Sequence, residues 1–219
     1  MAFLSRRRAL TTPSISLIVL LSLLFWVDDA LPYFDVSEIS YGRFWDRSGW
    51  LLTHVIGGSL ALLVGPFQFW SGLRQRHLRL HQWTGRIYAT GVALGSATAF
   101  QLAFHTENWT FGVVLFIGGV FWLTATGKAL LAALRRHIDL HREWMIRSYI
   151  FTFSFVSFRL LLEIPWIENL GTDAEVSTTI GWLCWVVPWM GYELTKPYHR
   201  PHNPLPVALH PSFIQRIET

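Results

Sequence analysis

The chain has 219 residues, of which 52% are hydrophobic and only 15% charged, with 18 Lys and Arg against 14 Asp and Glu. A water-soluble domain of this length carries closer to a quarter of charged residues, so a soluble globular fold is disfavoured and helices facing lipid are expected. A single cysteine, Cys184, excludes an internal disulfide and an all-cysteine metal site, and the basic balance is read as loops against lipid head groups rather than as nucleic-acid binding.

Taken in order, the N-terminus carries Arg6, Arg7 and Arg8, followed by an apolar run from about Pro13 to Pro32. No small-x-small cleavage site precedes Asp28 and Asp29, so the run is read as a retained first membrane helix rather than a signal peptide. Residues 33–48 are polar and aromatic and form an extracytoplasmic loop. Five further spans are expected at about 49–72, 85–105, 110–134, 145–165 and 176–194. Two His-rich loops, a turn near Glu107 and Asn108, and an acidic loop at 166–175 join them. The tail from Lys196, rich in Pro and His, is expected to be irregular. A twenty-residue helix is about 30 Å long, enough for the hydrocarbon core.

Charge orients these spans. With the N-terminus inside, all Lys and Arg fall on inside segments except Arg43, Arg47 and Arg159, out of 18 in total. That bias predicts six helices with both termini in the cytoplasm. The chain then divides into an N-terminal helix and external loop (1–48), a membrane core (49–165), and a sixth helix with a cytoplasmic tail (166–219).

The core contains a repeat. His77-Leu-Arg-Leu-His81-Gln-Trp83-Thr-Gly-Arg86-Ile-Tyr88 recurs as His137-Ile-Asp-Leu-His141-Arg-Glu-Trp144-Met-Ile-Arg147-Ser-Tyr149. Upstream, Ile56-Gly57-Gly58 recurs as Ile117-Gly118-Gly119, and Leu73-Arg74 as Leu134-Arg135. Four matches in order predict an internally duplicated helix-loop-helix unit. Both copies run out-to-in and then in-to-out, so helices 2–3 and 4–5 are expected to form a pseudo-symmetric four-helix bundle about an axis along the membrane normal.

That symmetry would bring His81 and His141 to opposite sides of one point, the geometry of bis-His ligation of haem iron. Arg86 and Arg147 lie one and a half turns deeper and suit haem propionates, because a guanidinium forks onto a carboxylate. His77 and His137 open an alternative. Residues at i and i+4 share a helix face, so two H-x-x-x-H pairs could hold non-haem iron, copper or zinc. A third reading is that these side chains only cap helices and meet head groups. His54 breaks the repeat, since its equivalent in the second copy is Leu115, and an ionisable group within a span tends to face the bundle interior. Gly57, Gly58 and Gly65 would let a flat cofactor approach the backbone, or simply let helices pack closely. Gly65-Pro66 should kink helix 2. Arg159 and Glu163 can pair on one face of helix 5.

The residues His54-x-x-Gly57, Gly65-Pro66-Phe67-Gln68-Phe69, His81-x-x-x-Gly85-Arg86-x-Tyr88 and His141-Arg-Glu-Trp144-Met145-Ile146-Arg147-Ser-Tyr149, with Arg159, resemble the bacterial membrane proteins grouped as domain of unknown function 2306. The resemblance covers about residues 50–165; Gln82 stands where that family often has Arg. It implies an inner-membrane, multi-pass protein and weight on His54, His81 and His141, and it assigns no activity. A looser likeness is to ascorbate-reducible transmembrane b-type cytochromes, whose four-helix core shares His pairs between helices 2 and 4 and between helices 3 and 5. His81 and His141 match the second pair. His54 has no partner in helix 4, so one haem b, not two, is what that likeness implies.

The leading expectation is therefore an inner-membrane protein with a histidine-lined site in the bundle that binds haem and transfers electrons, with a quinone or redox protein as partner. The alternatives are a non-catalytic membrane subunit or assembly factor, and a His-cluster metal enzyme.

Overall fold

A computed structural model describes residues 12–74 and 77–196. The Arg6–Arg8 cluster and the Pro- and His-rich tail beyond Lys196 lie outside the described residues. Six long helices make up the fold: α1 Thr12–Phe25, α2 Ser48–Arg74, α3 Leu78–Phe104, α4 Trp109–Leu134, α5 Ile138–Leu162 and α6 Asp173–Thr195. No strand occurs among the described residues. The chain divides into two units, Met1–Trp189 and Met190–Thr219. In the second, Thr195 donates to the Gly191 carbonyl (2.7 Å) and Lys196 pairs with Glu193 (2.5 Å).

Five segments are long and apolar enough to cross a membrane: Ser14–Phe34, Glu38–Phe69, Leu78–Phe104, Trp109–Leu134 and Ile138–Leu162. Helix α6 has 23 residues and so the necessary length, about 35 Å. Its Ser, Thr and Trp content keeps its hydropathy lower than that of the other five. The outer faces carry exposed apolar side chains such as Leu20, Val120, Leu123 and Leu131, whereas Ala61, Ala129, Ser96, Ser148 and Thr152 are 0% exposed. Large apolar outside and small or hydroxyl inside is the arrangement of helices that associate in lipid, where packing and interhelical hydrogen bonds replace the hydrophobic effect.

Within the first unit α2 packs on α3, α3 on α4 and α4 on α5, and α2 meets α5 to close a four-helix ring. Helix α1 lies against α2 and α5. Helix α6 meets α4 and α5 through Trp185, whose ring sits 5.7 Å from Phe121 and 5.0 Å from Phe151.

The α2–α3 contact is a glycine contact. A Cβ at Gly57 would lie 2.6 Å from Gly95 N and 2.7 Å from Gly91 O. Backbone against backbone leaves no space there for a flat cofactor. Gly65 is likewise filled, by the ring of Tyr149 from α5. Helix α2 runs through Pro66 without a break. Pro66 has no N–H for the Leu62 carbonyl four residues back, and Tyr149 Oη donates to that carbonyl instead (3.3 Å). The tyrosine at the end of the second W-x-x-R-x-Y block thus completes the hydrogen bonding of α2.

The His-rich joints differ from expectation. His77 and His137 are the N-caps of α3 and α5, so the helices begin well before the apolar spans at 85 and 145. Helix geometry needs hydrogen bonds, not apolar side chains, so each helix extends past the stretch that composition marks out. Helix α4 ends in a Schellman motif: Arg136 N donates to Ala133 O and His137 N to Ala132 O, with Arg136 at φ 61°. Helix α6 starts with a capping box, in which Thr172 N donates to Glu175 Oε2 (2.9 Å) and Glu175 N to Thr172 Oγ1 (3.4 Å).

Candidate functional site

His81 and His141 sit one turn inside the N-termini of α3 and α5. Their rings face each other edge to face, with centroids 6.4 Å apart and planes at 88°. Both repeated segments therefore lie at one end of the bundle.

Each ring is held through its Nδ1. His141 Nδ1 donates to the carbonyl of Ala129 on α4 (2.9 Å). Beside His81 stands the buried side chain of Gln68, from α2. With its amide nitrogen towards the His81 carbonyl and its oxygen towards the Gly85 N–H, Gln68 donates to His81 Nδ1 (3.0 Å) and His81 O (3.2 Å) and accepts from Gly85 N (3.0 Å) and Thr84 Oγ1. The reverse orientation would set oxygen against a carbonyl and nitrogen against an N–H, so the two backbone groups fix the amide and the Thr84 hydroxyl rotates to suit. An imidazole whose Nδ1–H donates to an outer carbonyl, as that of His141 does, is oriented as ligating imidazoles are in metal sites, whereas His81 Nδ1 accepts from Gln68.

His77 and His137 do not join this pair. Both are exposed, and as N-caps they have non-helical backbone (His77 φ −135°, ψ 65°). The shared helix face that an H-x-x-x-H chelate needs is therefore not formed. Among the described residues no three His, Cys, Asp or Glu side chains converge as a metal cluster.

The paired arginines have unlike surroundings. Each guanidinium lies over the Trp three residues before it, Arg86 on Trp83 (4.8 Å) and Arg147 on Trp144 (4.7 Å). Arg86 is exposed, whereas Arg147 is 5% exposed and reaches Glu143 Oε2 (3.5 Å). Lys128 covers Trp144 as well (4.4 Å). Arg159 pairs with Asp29, in the helical turn Trp26–Ala30 that follows α1 (2.8 Å), rather than with Glu163 at the end of its own helix. A partner from outside α5 satisfies the charge and ties the turn after α1 to α5.

His54, on α2, donates from Nδ1 to the Gly95 carbonyl (2.9 Å) and packs edge-on to Phe155 (5.5 Å). It belongs to the α2–α3 glycine crossing, apart from the His81–His141 pair in hydrogen bonding. His105 is exposed, with Nδ1 donating to Gln101 O (2.8 Å).

Sequence reasoning missed a buried hydroxyl cluster two turns deeper than the imidazoles. Tyr88 Oη lies 2.8 Å from both Ser148 Oγ and Thr152 Oγ1. Thr126 Oγ1 is 2.7 Å from Ser148 Oγ, and Trp122 Nε1 donates to Thr152 Oγ1 (2.9 Å). Tyr88 is seven residues after His81 and Ser148 seven after His141, so each lies on the same helix face as its histidine. The visible signal was Ser148 and Thr152 spaced four apart in an apolar span. Gln68 stood only within the family-like block, with nothing to mark its contact to His81.

Comparison with curated proteins and with solved structures gives no match. A family model described as Predicted membrane protein (DUF2306) matches residues 51–194, which include the whole four-helix ring from His54 onward and both imidazoles. The apolar outer faces, the small-residue interior and this match over most of the chain agree: the protein is a multi-pass helical membrane protein and belongs to the DUF2306 family.

Proposed function

We propose that the His81–His141 pair is a two-imidazole ligand site for one metal centre at the cytoplasmic end of the bundle, with haem b iron as the occupant. The observation that carries this is the opposed ring pair at 6.4 Å. Two imidazole–metal bonds of about 2.0–2.1 Å each plus the two ring radii span that separation. The His141 Nδ1–H donated to the Ala129 carbonyl supports it further, since it leaves Nε2 with its lone pair and holds the ring in place before anything binds. Two neutral imidazoles suit iron as donors, and a bound haem would supply one-electron chemistry. His81 and His141 would hold the iron. Gln68 and Ala129 O would hold the rings. Arg147, buried nearby on α5, would add positive charge on the side of the pair. A membrane quinone or a redox protein is the partner this reading calls for. We assign both termini to the cytoplasm from the distribution of Lys and Arg, and we read the two helix pairs as duplicated halves from the 60- and 61-residue spacing.

A non-haem metal is the second reading, favoured by the exposure of Arg86, which leaves one arginine of the expected propionate pair turned to the surface.

The test is the absorption spectrum with iron, zinc and copper content of the purified protein. Wild type should show a reducible Soret band. His81→Ala and His141→Ala should each abolish it, because one remaining imidazole leaves the iron weakly held. His77→Ala and His137→Ala should retain it. A silent spectrum with one zinc or copper per chain selects the non-haem reading. No cofactor in the wild type, or full content in His81→Ala, refutes the ligand site and leaves a structural or assembly role.

A further inference from the structure

We infer that Gln68 is a positioning residue that sets the tautomer of His81 and makes the two imidazoles chemically unlike: His81 presents an N–H at Nε2, His141 a lone pair. Gln68 and Ala129 are 61 residues apart, the spacing of the duplicated Trp-x-x-Arg-x-Tyr blocks, and each supplies the group that meets Nδ1 of the histidine on the next helix. The two repeated segments thus have their imidazoles held from equivalent sequence positions, one by a side chain and the other by the main chain.

Those groups differ in what they accept. The Ala129 carbonyl has only lone pairs, so His141 Nδ1 must carry the proton and Nε2 keeps its lone pair. The Gln68 amide could offer either end, but the His81 carbonyl and the Gly85 N–H fix it with nitrogen towards His81. An amide N–H facing Nδ1 requires a lone pair there. The single proton of neutral His81 therefore sits on Nε2. The two neutral rings thus carry their protons on opposite nitrogens, Nε2 in His81 and Nδ1 in His141.

For both Nε2 atoms to ligate one metal, the His81 proton must move from Nε2 to Nδ1. The ring stays neutral and no proton leaves it. The Gln68 amide then has to turn so that Oε1 accepts from the new Nδ1–H, breaking its present contacts to His81 O and Gly85 N. Gln68 consequently acts as a latch that disfavours metal entry until it turns. The bearing of this on function rests on the proposed ligand site; the tautomer assignment does not.

The experiment uses the full-length protein in detergent micelles, labelled with 15N at its nine histidines, at a pH where imidazoles are neutral. The imidazole 15N shifts distinguish the two tautomers, and the His81 signal is assigned by its loss in His81→Asn. Wild type should show His81 protonated at Nε2 and His141 at Nδ1. Gln68→Glu, whose carboxylate only accepts, should move the His81 proton to Nδ1 and raise affinity for added Zn2+ by on the order of tenfold or more. Gln68→Met, of similar size but unable to hydrogen-bond, should give His81 as a mixture, and it serves if Gln68→Glu fails to fold. Wild-type His81 protonated at Nδ1, or a His81 tautomer unmoved in the variants, overturns the inference. Tautomers as stated with no uptake of any metal refute the ligand site, and the latch with it, but not the tautomer assignment. Bound metal with His81 indifferent to Gln68 refutes the latch alone.

Discussion

Adjacent glycines on α2 should respond oppositely to the same substitution. A methyl at Gly57 would lie 2.6 Å from Gly95 N and 2.7 Å from Gly91 O, both backbone atoms of α3. That is roughly 1 Å short of the ~3.5 Å at which nonbonded heavy atoms attract, and neither atom can rotate away. Gly57→Ala must therefore push α2 and α3 apart, and the His54–Gly95 hydrogen bond across that crossing weakens with it. A methyl at Gly58 meets nothing within 4 Å. Both changes gain the same intrinsic helix preference of Ala over Gly, about 1 kcal/mol. The difference between the two variants therefore reads the contact alone, and overpacking of this kind costs ~1–3 kcal/mol. Unfolding of the purified protein in mixed micelles, followed by far-ultraviolet circular dichroism and Trp fluorescence, measures it. Gly58→Ala should match or exceed wild type, and Gly57→Ala should fall below Gly58→Ala by that margin. Equal stability of the two, within about 0.5 kcal/mol, would refute the close crossing.

Three further outcomes follow from the geometry. Tyr149→Phe should cost ~1–3 kcal/mol because it strands the Leu62 carbonyl that Pro66 cannot serve, whereas Tyr88→Phe should cost nearer ~0.6 kcal/mol, since Ser148 and Thr152 keep their bonds to Thr126 and Trp122; the same unfolding assay ranks them. Arg136→Gly should stabilise by ~1 kcal/mol, because Arg136 holds φ 61° at the end of α4, where a Cβ is unfavourable. The Thr172 N–H and hydroxyl hold the Glu175 carboxyl below its usual value of 4.5; the cap is therefore present above pH 4.5 and lost as pH falls through the lower folded value. Exchange protection of the first amides of α6 should drop over that acidic range in wild type and become pH-independent in Glu175→Gln; a drop that persists in Glu175→Gln would refute the assignment.

The sequence by itself determined the membrane class, the number of long helices and the ends at which they turn. Those follow from runs of apolar residues and from where Lys and Arg fall, which are one-dimensional properties. It also singled out His81 and His141, because they hold the same place in two similar sequence blocks, and the structure sets their rings 6.4 Å apart. It misjudged where α3 and α5 begin, since hydropathy marks the span and hydrogen bonding marks the helix, and the two part company at the charged ends. It grouped His77 with His81 by spacing, but the i, i+4 face exists only if both residues are helical, and His77 and His137 are caps.

Only the tertiary structure decided what lies between the helices. Gly57 and Gly65 read equally well as cofactor slots or packing sites until Gly95 and Tyr149 were seen to fill them. Arg159 reads as a partner of Glu163 along its own helix, yet Asp29 reaches it from 130 residues away. Gln68 and the Tyr88 cluster carry no local pattern, because a hydrogen bond across a bundle depends on which faces meet and at what depth. Spacing along one helix fixes what a residue can share with its own turn; the partner on the next helix is set by the packing of the whole ring.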